Sequence, residues 1–222
     1  ESTDINRGKG LIHSNETAIL SLHNNTITFQ SGPSPNNTQP HSGDQLQALA
    51  STFVSTLGLP QPPKLTKIEF LKLSGEDTVP VTDASDAQFA KFNFAYSTQS
   101  IPIISPSIGV SATYDLFGNL RELAVKYLEV KDPTGTYNLI DLDEAVGFLQ
   151  VNQGNLVAIE GLQQEQIPKS LGTVNITDAY QAYYLPSFDV EQIQPVWVFE
   201  GTTVLNNYEV KATFTIPAIK QD

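Results

Sequence analysis

Apolar residues along this chain follow two periods, and the switches between them divide it into segments. Leu46, Leu49, Ala50, Phe53, Val54 and Leu57 recur at helical spacing and form one apolar stripe. Asp44, just after the Ser42-Gly43 turn, is placed to cap that helix. Gly58 holds the C-terminal capping position, and Pro60, Pro62 and Pro63 prevent continuation. The period then falls to two. Residues 65–73 (LTKIEFLKL) read as a strand, and 87–96 (AQFAKFNFAY) alternate, with Phe92, Phe94 and Tyr96 opposite Lys91 and Asn93. Ile101-Pro102-Ile103 is extended, because proline biases its predecessor that way. Residues 107–115 place Ile108, Val110, Ala112 and Tyr114 inward and Ser111, Thr113 and Asp115 outward. Leu116-Phe117-Gly118-Asn119 turns the chain into a returning strand over 120–130.

Asp132-Pro133-Thr134-Gly135 breaks the pattern. Asp141 opens a shorter helix with Ala145, Val146, Phe148 and Leu149 apolar, and Asp141, Asp143 and Glu144 sit at the positive end of its dipole. Strands follow over 171–185, 194–200 and 207–217. In the last, Tyr208, Val210, Ala212, Phe214 and Ile216 alternate with Glu209, Lys211, Thr213 and Thr215. Ahead of all this, residues 1–10 are polar and read as frayed, LIHS and TITFQ as short strands with a turn at Asn24-Asn25, and 31–43 as a Pro/Gly/Asn/Ser loop. The order is helix then strands, twice. The expected fold class is α+β: two tandem units, 44–131 and 132–222, each a helix packed on a curved antiparallel β-sheet. An N-terminal arm with short strands, 1–43, precedes them and can add to the edge of the first sheet.

Composition narrows the function classes. The chain has 222 residues, 16% charged and 40% hydrophobic, which excludes a highly charged disordered chain. Its 12 Lys+Arg against 24 Asp+Glu give a net charge of −12, and Arg7 and Arg121 are the only arginines. No basic patch can be built from these, so nucleic acid and anionic membrane surfaces are not expected partners. Cysteine is absent, which removes disulfides, thiolate metal sites and a Cys nucleophile. Methionine is absent too, and Glu1 is no initiator, so a processed or trimmed form of a longer product is expected. No stretch reaches the roughly 18 consecutive apolar residues of a membrane helix. Together with the abundance of Ser, Thr, Asn, Gln and Pro, this gives an extracytoplasmic expectation. The chain would be secreted, or held at the outer face of the cytoplasmic membrane by an anchor that this sequence does not contain.

Reactive motifs are sparse. His13, His23 and His41 lie ten and eighteen residues apart, which matches no zinc motif. There is no G-x-S-x-G; Ser105-Pro106-Ser107 has no nearby base, and Gly8-Lys9-Gly10 opens no helix. Two acidic groups, Glu76-Asp77 with Asp83 and Asp86, and Asp141 with Asp143 and Glu144, have the residue types for glycoside hydrolysis or Ca²⁺ binding. No EF-hand pattern accompanies them, and in so acidic a chain they read first as solvated loops. Aromatics concentrate near the C-terminus. The candidate partner surface is Tyr183, Tyr184, Trp197 and Phe199, with partner or sugar binding as the functional reading. The competing reading buries both faces of the 194–200 strand, one under the helix and one against the other unit.

Some of these residues resemble a known family. Gln99-Ser100-Ile101-Pro102-Ile103, the alternating strand after it and the turn Asp115-Leu116-Phe117-Gly118-Asn119-Leu120 resemble PepSY-like and FTP-like domains. There a G-x-P-V-type segment precedes a hairpin closed by a D-x-x-G-N turn; here Ser100 stands where Gly is common. The stretch Tyr137-Asn138-Leu139-Ile140-Asp141-Leu142-Asp143-Glu144-Ala145 resembles the start of a following unit's helix. Tyr183-Tyr184-Leu185-Pro186 with Gln194-Pro195-Val196-Trp197-Val198-Phe199-Glu200-Gly201 is similar to the close of regulatory proteins of the YycI, YycH and YpeB kind. The resemblance covers roughly residues 44–220. It implies two PepSY-like units forming a non-enzymatic module that modulates a membrane sensor kinase or a protease, without catalytic residues, cofactor or metal. A secreted carbohydrate-active or other hydrolytic enzyme using Asp/Glu is the alternative, and a propeptide-like protease inhibitor or intramolecular chaperone is another.

Overall fold

The computed structural model describes residues 3–7, 10–14, 17–23, 26–32, 39–59, 61–75, 77–106, 108–127, 135–160, 162, 166–168, 170–186 and 192–220, with the backbone alone at 3–7, 10–13 and 77. The chain divides into two compact units, Glu1–Ser97 with Ser107–Val130, and Thr98–Pro106 with Lys131–Asp222.

The elements run β1 (Thr3–Arg7), β2 (Gly10–Ser14), β3 (Ala18–His23), β4 (Thr26–Ser31), α1 (Gly43–Thr56), β5 (Lys64–Ser74), β6 (Asp77–Pro80), a 3₁₀ turn (Ala84–Asp86) and β7 (Phe89–Ala95). After them come β8 (Ser97–Thr98), β9 (Ile101–Ile104), β10 (Gly109–Asp115), β11 (Leu120–Lys126), α2 (Leu142–Gln150), β12 (Asn155–Ile159), β13 (Asn175–Tyr184), β14 (Gln194–Leu205) and β15 (Tyr208–Pro217). One sheet orders its nine strands β1-β2-β3-β4-β11-β10-β7-β5-β6; the other orders six as β12-β15-β14-β13-β9-β8.

This corrects the α+β expectation of tandem helix-on-sheet units. The protein is mainly β, with two α-helices among the described residues. The segment expected to be an arm is a four-stranded antiparallel meander. It joins the first sheet through β4 and β11, with Gln30 opposite Glu122 and Thr26 opposite Lys126. Its strands are rich in Ser, Thr and Asn, and β4 is half-buried almost throughout, so no clean alternation marks a buried face. Asn24 and Asn25, read as a turn, lie outside the described residues, as do 128–130 of the expected returning strand. The segment around Ile101 is displaced as well. After Gln99 and Ser100, at φ 49° and 70°, β9 pairs parallel to β13 in the second unit, Ile103 opposite Tyr183. Ser100 therefore carries the left-handed backbone that Gly adopts more readily.

In the first unit the period-two reading of β7 holds: Phe92, Phe94 and Tyr96 are buried. Register sets Phe94 opposite Val110 and Phe92 opposite Ala112, so these side chains share one sheet face. Phe92 and Tyr114 meet edge-on with centroids 6.2 Å apart. Helix α1 lies on β7 and β10 and buries Leu46, Ala50 and Val54, while Leu49 is left exposed. Its cap is Ser42 rather than Asp44. The Gln45 amide donates to Ser42 Oγ (3.3 Å) and the Ser42 amide to Gln45 Oε1 (2.8 Å), a reciprocal capping box. Gly58, at φ 62°, follows the helix in the left-handed conformation that ends it.

In the second unit Asp141 caps α2 by accepting from the Glu144 amide (2.8 Å). Helix α2 lies against β15. Ala145, Ile140, Phe199 and Ile216 form a buried cluster, with Val146, Leu149, Trp197 and Phe214 packed around it. Strands β14 and β15 make a hairpin across Asn206-Asn207, both at positive φ, the backbone of the tight turn that matches strand twist.

Ser42→Ala should lower stability by about 1 kcal/mol, while Asp44→Ala should change it much less. Urea unfolding followed by far-ultraviolet circular dichroism separates the two; an equal or larger loss for Asp44→Ala would return the cap to Asp44.

Candidate functional site

The four aromatics of the candidate surface do not share a face. Register on β13 and β14 puts Tyr183 opposite Pro195 and Ala179 opposite Phe199, on the α2 side with Trp197. Phe199 is 1% exposed and belongs to the cluster beneath α2, and Trp197 Nε1 donates to Ile140 O (3.1 Å). Tyr184 points to the other face, against the buried trio Ala182, Val196 and Val198, where burial raises its phenol pKa. On this second face burial, then the hydrogen bond to Glu200 Oε1 (2.7 Å), pushes the Tyr180 phenol pKa far up. Strand β14 is thus apolar and buried on both faces. Trp197 and Phe199 hold the second unit together, leaving Tyr183 and Tyr184 half-buried beside the core.

The acidic groups do local structural work. Asp83 Oδ1 accepts from the Ser85 amide (2.8 Å), and this hydrogen bonding lowers its pKa. Asp141 spends its carboxylate on the α2 cap. Glu76 and the Asp77 side chain lie outside the described residues. Asp178 and Glu200 face each other across β13 and β14, with Glu200 held by Tyr180. No group of three potential metal ligands gathers among the described residues. His23 is exposed in β3, His13 lies in β2 with its side chain outside the described residues, and His41 is half-buried beside Gly118.

Sequence reasoning missed one charged centre, because alternation turned Asp115 outward. Its side chain is 7% exposed and that of Arg121 12%. Asp115 Oδ1 accepts from the amides of Phe117 (3.0 Å) and Asn119 (2.9 Å), and Oδ2 from Asn119 Nδ2 (3.0 Å) and Arg121 Nη2. Arg121 Nη1 reaches Gly32 O, and Ser31 Oγ donates to Leu120 O (2.7 Å). The His41 amide donates to Leu116 O (2.7 Å), and a Cβ on Gly118, at φ +82°, would stand 2.9 Å from the His41 ring. Burial would raise the Asp115 pKa, but the Asn119 bonds and the Arg121 charge outweigh it and lower the value. The arrangement is a structural knot. The signal for it was one of two arginines placed just after a D-x-x-G-N turn.

Concavities lie among the described residues of the second unit. One of about 550 Å³ is lined by Leu149, Leu156, Leu171, Val174 and Phe214 with no charged group. One of about 280 Å³ has Tyr184, Asn155, Gln192, Gln194 and Thr215 in its wall. Another, about 300 Å³, is an apolar groove of Ile140, Phe148, Ile216, Pro217 and Ile219 with Glu144 and Lys220 at its rim. Strand β12 covers the outer edge of β15 at Ala212–Thr215, Leu139 meets Ile219, and the groove opens between these two pairings. Glu144 and Lys220 stand 3.9 Å apart, both exposed, a pairing of little energetic weight. No helix among the described residues is long and apolar enough to cross a membrane. No family model matches this sequence, and no curated protein does either.

Phe199→Ala should cost about 3–5 kcal/mol and shift the Trp197 fluorescence transition, while Tyr183→Ala should cost under about 1 kcal/mol. Similar losses at both positions would contradict the burial difference. Asp115→Asn should destabilise by about 3 kcal/mol, because a buried guanidinium loses its counter-charge. The Asp115 carboxyl has a lowered pKa in the fold, so its contribution is full above its ordinary value of 3.8 and fades as pH falls through the folded value. Urea midpoints measured downward from neutral pH should show that acid limb in the parent and a flatter one in Asp115→Asn; parallel curves would refute the assignment.

Proposed function

We propose that this chain is a non-enzymatic domain that works outside the cytoplasmic membrane by binding another protein. The observation that carries the reading is the distribution of exposed apolar side chains. Tyr137, Leu139, Leu142, Phe148 and Val151 are all exposed within fifteen consecutive residues, with Tyr137 at 53% and Val151 at 64%. Elsewhere among the described residues Val204 and Tyr208 flank the β14–β15 turn, while Ile19, Leu49, Ile68, Leu73 and Ile176 stand apart along the chain. Single exposed apolar residues are ordinary, whereas a concentration of them marks a contact surface. The acidic composition and the Ser/Thr/Asn/Gln/Pro-rich sequence support the extracytoplasmic setting. A sensor kinase or a protease is the partner class that the PepSY resemblance implies, and it stays within this proposal although the fold is not the tandem one expected from that resemblance.

A photo-cross-linking residue placed at Tyr137, Leu139 or Val151 in producing cells tests the reading, with Ser51 on α1 as the control position. The expected result is an adduct of one discrete mass at the first three positions and none at Ser51. Adducts absent throughout, or equal at Ser51, would reject it.

A further inference from the structure

We infer that the groove between α2 and the end of β15 receives a cationic segment of a partner protein, one that inserts a large apolar side chain flanked by lysine or arginine. This rests on the protein-contact reading above and gives it a place and a chemistry. The interior is apolar: Ile140, Phe148, Ile216 and Ile219 supply the walls, and the volume of about 300 Å³ suits one large side chain rather than a folded surface. Tyr137 and Leu139 are exposed along the chain that reaches the groove, and Leu139 bridges to Ile219.

Charge decides the flanks. Lys131–Asp222 holds 12 acidic residues against 4 lysines and no arginine, a net −8 of the chain's −12. At the groove itself, Glu144 lies on the rim and Asp143 one position earlier in the first turn of α2. Lys220, the cation on the rim, already faces Glu144. A segment bringing positive charge gains attraction in approach and in register, and an acidic one is repelled. The larger cavity beside Leu171 has no charged group in its wall and offers no such discrimination.

Three capped pentapeptides test this: Lys-Lys-Phe-Lys-Lys, Glu-Glu-Phe-Glu-Glu and Ser-Ser-Phe-Ser-Ser, each titrated into isotope-labelled protein while backbone amide shifts are followed. The lysine peptide alone should move the amides of Ile140, Phe148, Gln153, Ile219 and Lys220. The effect should fade between about 50 mM and about 300 mM NaCl, as screening shortens the reach of the acidic rim. Glu144→Lys, on an exposed side chain whose replacement leaves the Asp141 cap intact, should weaken binding roughly fivefold. Phe148→Ser should weaken it with the salt dependence retained. Equal binding of the acidic or neutral peptide, or no change with Glu144→Lys, overturns the inference. Shifts of the same amides with protein concentration alone would assign the groove to a second copy and also overturn it. Lysine-peptide shifts confined to another face reject the groove but leave the wider contact reading to the cross-linking experiment. If both experiments are silent, both readings fall.

Discussion

One ion pair, Asp115 with Arg121, ties the β10–β11 turn of the first unit to the end of its N-terminal meander. Asp115 is removed from water at the end of β10, and the turn that follows supplies its donors: the Phe117 and Asn119 amides, the Asn119 side chain and Arg121. A buried ion pair is poor insulation for a fold in energy alone, since desolvation of both charges offsets much of their attraction. Its value here is geometric. The same guanidinium that neutralises Asp115 also bonds Gly32 O, just past β4, so the β10–β11 turn and the end of the N-terminal meander are fixed by one side chain. Ser31 and His41 add backbone-directed bonds to the same turn, and Gly118 leaves room for the His41 ring. Asp115, Gly118, Asn119, Arg121 and His41 thereby pin the end of the meander just beyond the β4–β11 ladder.

In the second unit no charged side chain is buried among the described residues. Phe199, Ile216, Ala145 and Ile140 close one sheet face under α2, and Trp197 spends its only polar atom on the Ile140 carbonyl. On the opposite face Val198 and Ala182 are buried with Tyr180 and Tyr184 beside them. The sheet also takes β9 from a point in the chain before β10, pairing it parallel to β13. A division of the sequence at residue 131 would therefore strip a strand from the second sheet. Each unit is compact in itself and is drawn from two separate stretches of sequence, a discontinuity that no local pattern marks.

That discontinuity explains much of what the residues alone did and did not reveal. Both helices were legible because a 3.6-residue stripe and its stop signals are local: Leu46, Ala50 and Val54 pack as read, and Asp141 caps as read. The cap of α1 slipped by two positions because Ser42 and Gln45 satisfy each other, a reciprocal bond stronger than a lone Asp44. The β7 and β15 alternations were legible for the same local reason. In the N-terminal meander LIHS and TITFQ were read as strands and fall in β2 and β4, whereas β1, read as frayed, and β3 (AILSLH) were not legible, because β1 is polar and β3 does not alternate cleanly. Nor was the β9–β13 pairing, which joins residues some eighty positions apart. Of the two readings of the aromatic cluster, burial of the 194–200 strand is the one that Phe199 and Val198 follow, on opposite faces of β14.

These placements also sort the acidic residues by what they are free to do. Asp115 is consumed by Arg121, Asp83 by its own turn, Asp141 by the α2 cap and Glu200 by Tyr180. A carboxylate already satisfied by a donor inside the protein has little left to offer an incoming cation, because the new contact must first displace the old one. Glu144 is different: it faces Lys220, exposed and at 3.9 Å, an arrangement that costs little to rearrange. The groove beneath it is apolar, and Tyr137, Leu139, Leu142, Phe148 and Val151 are exposed on or beside the helix that carries it. Adaptable charge at the rim, apolar walls inside and a unit of net −8 around them are the combination that selects an oily side chain with basic neighbours. The buried phenols and the capped carboxylates elsewhere lack that combination.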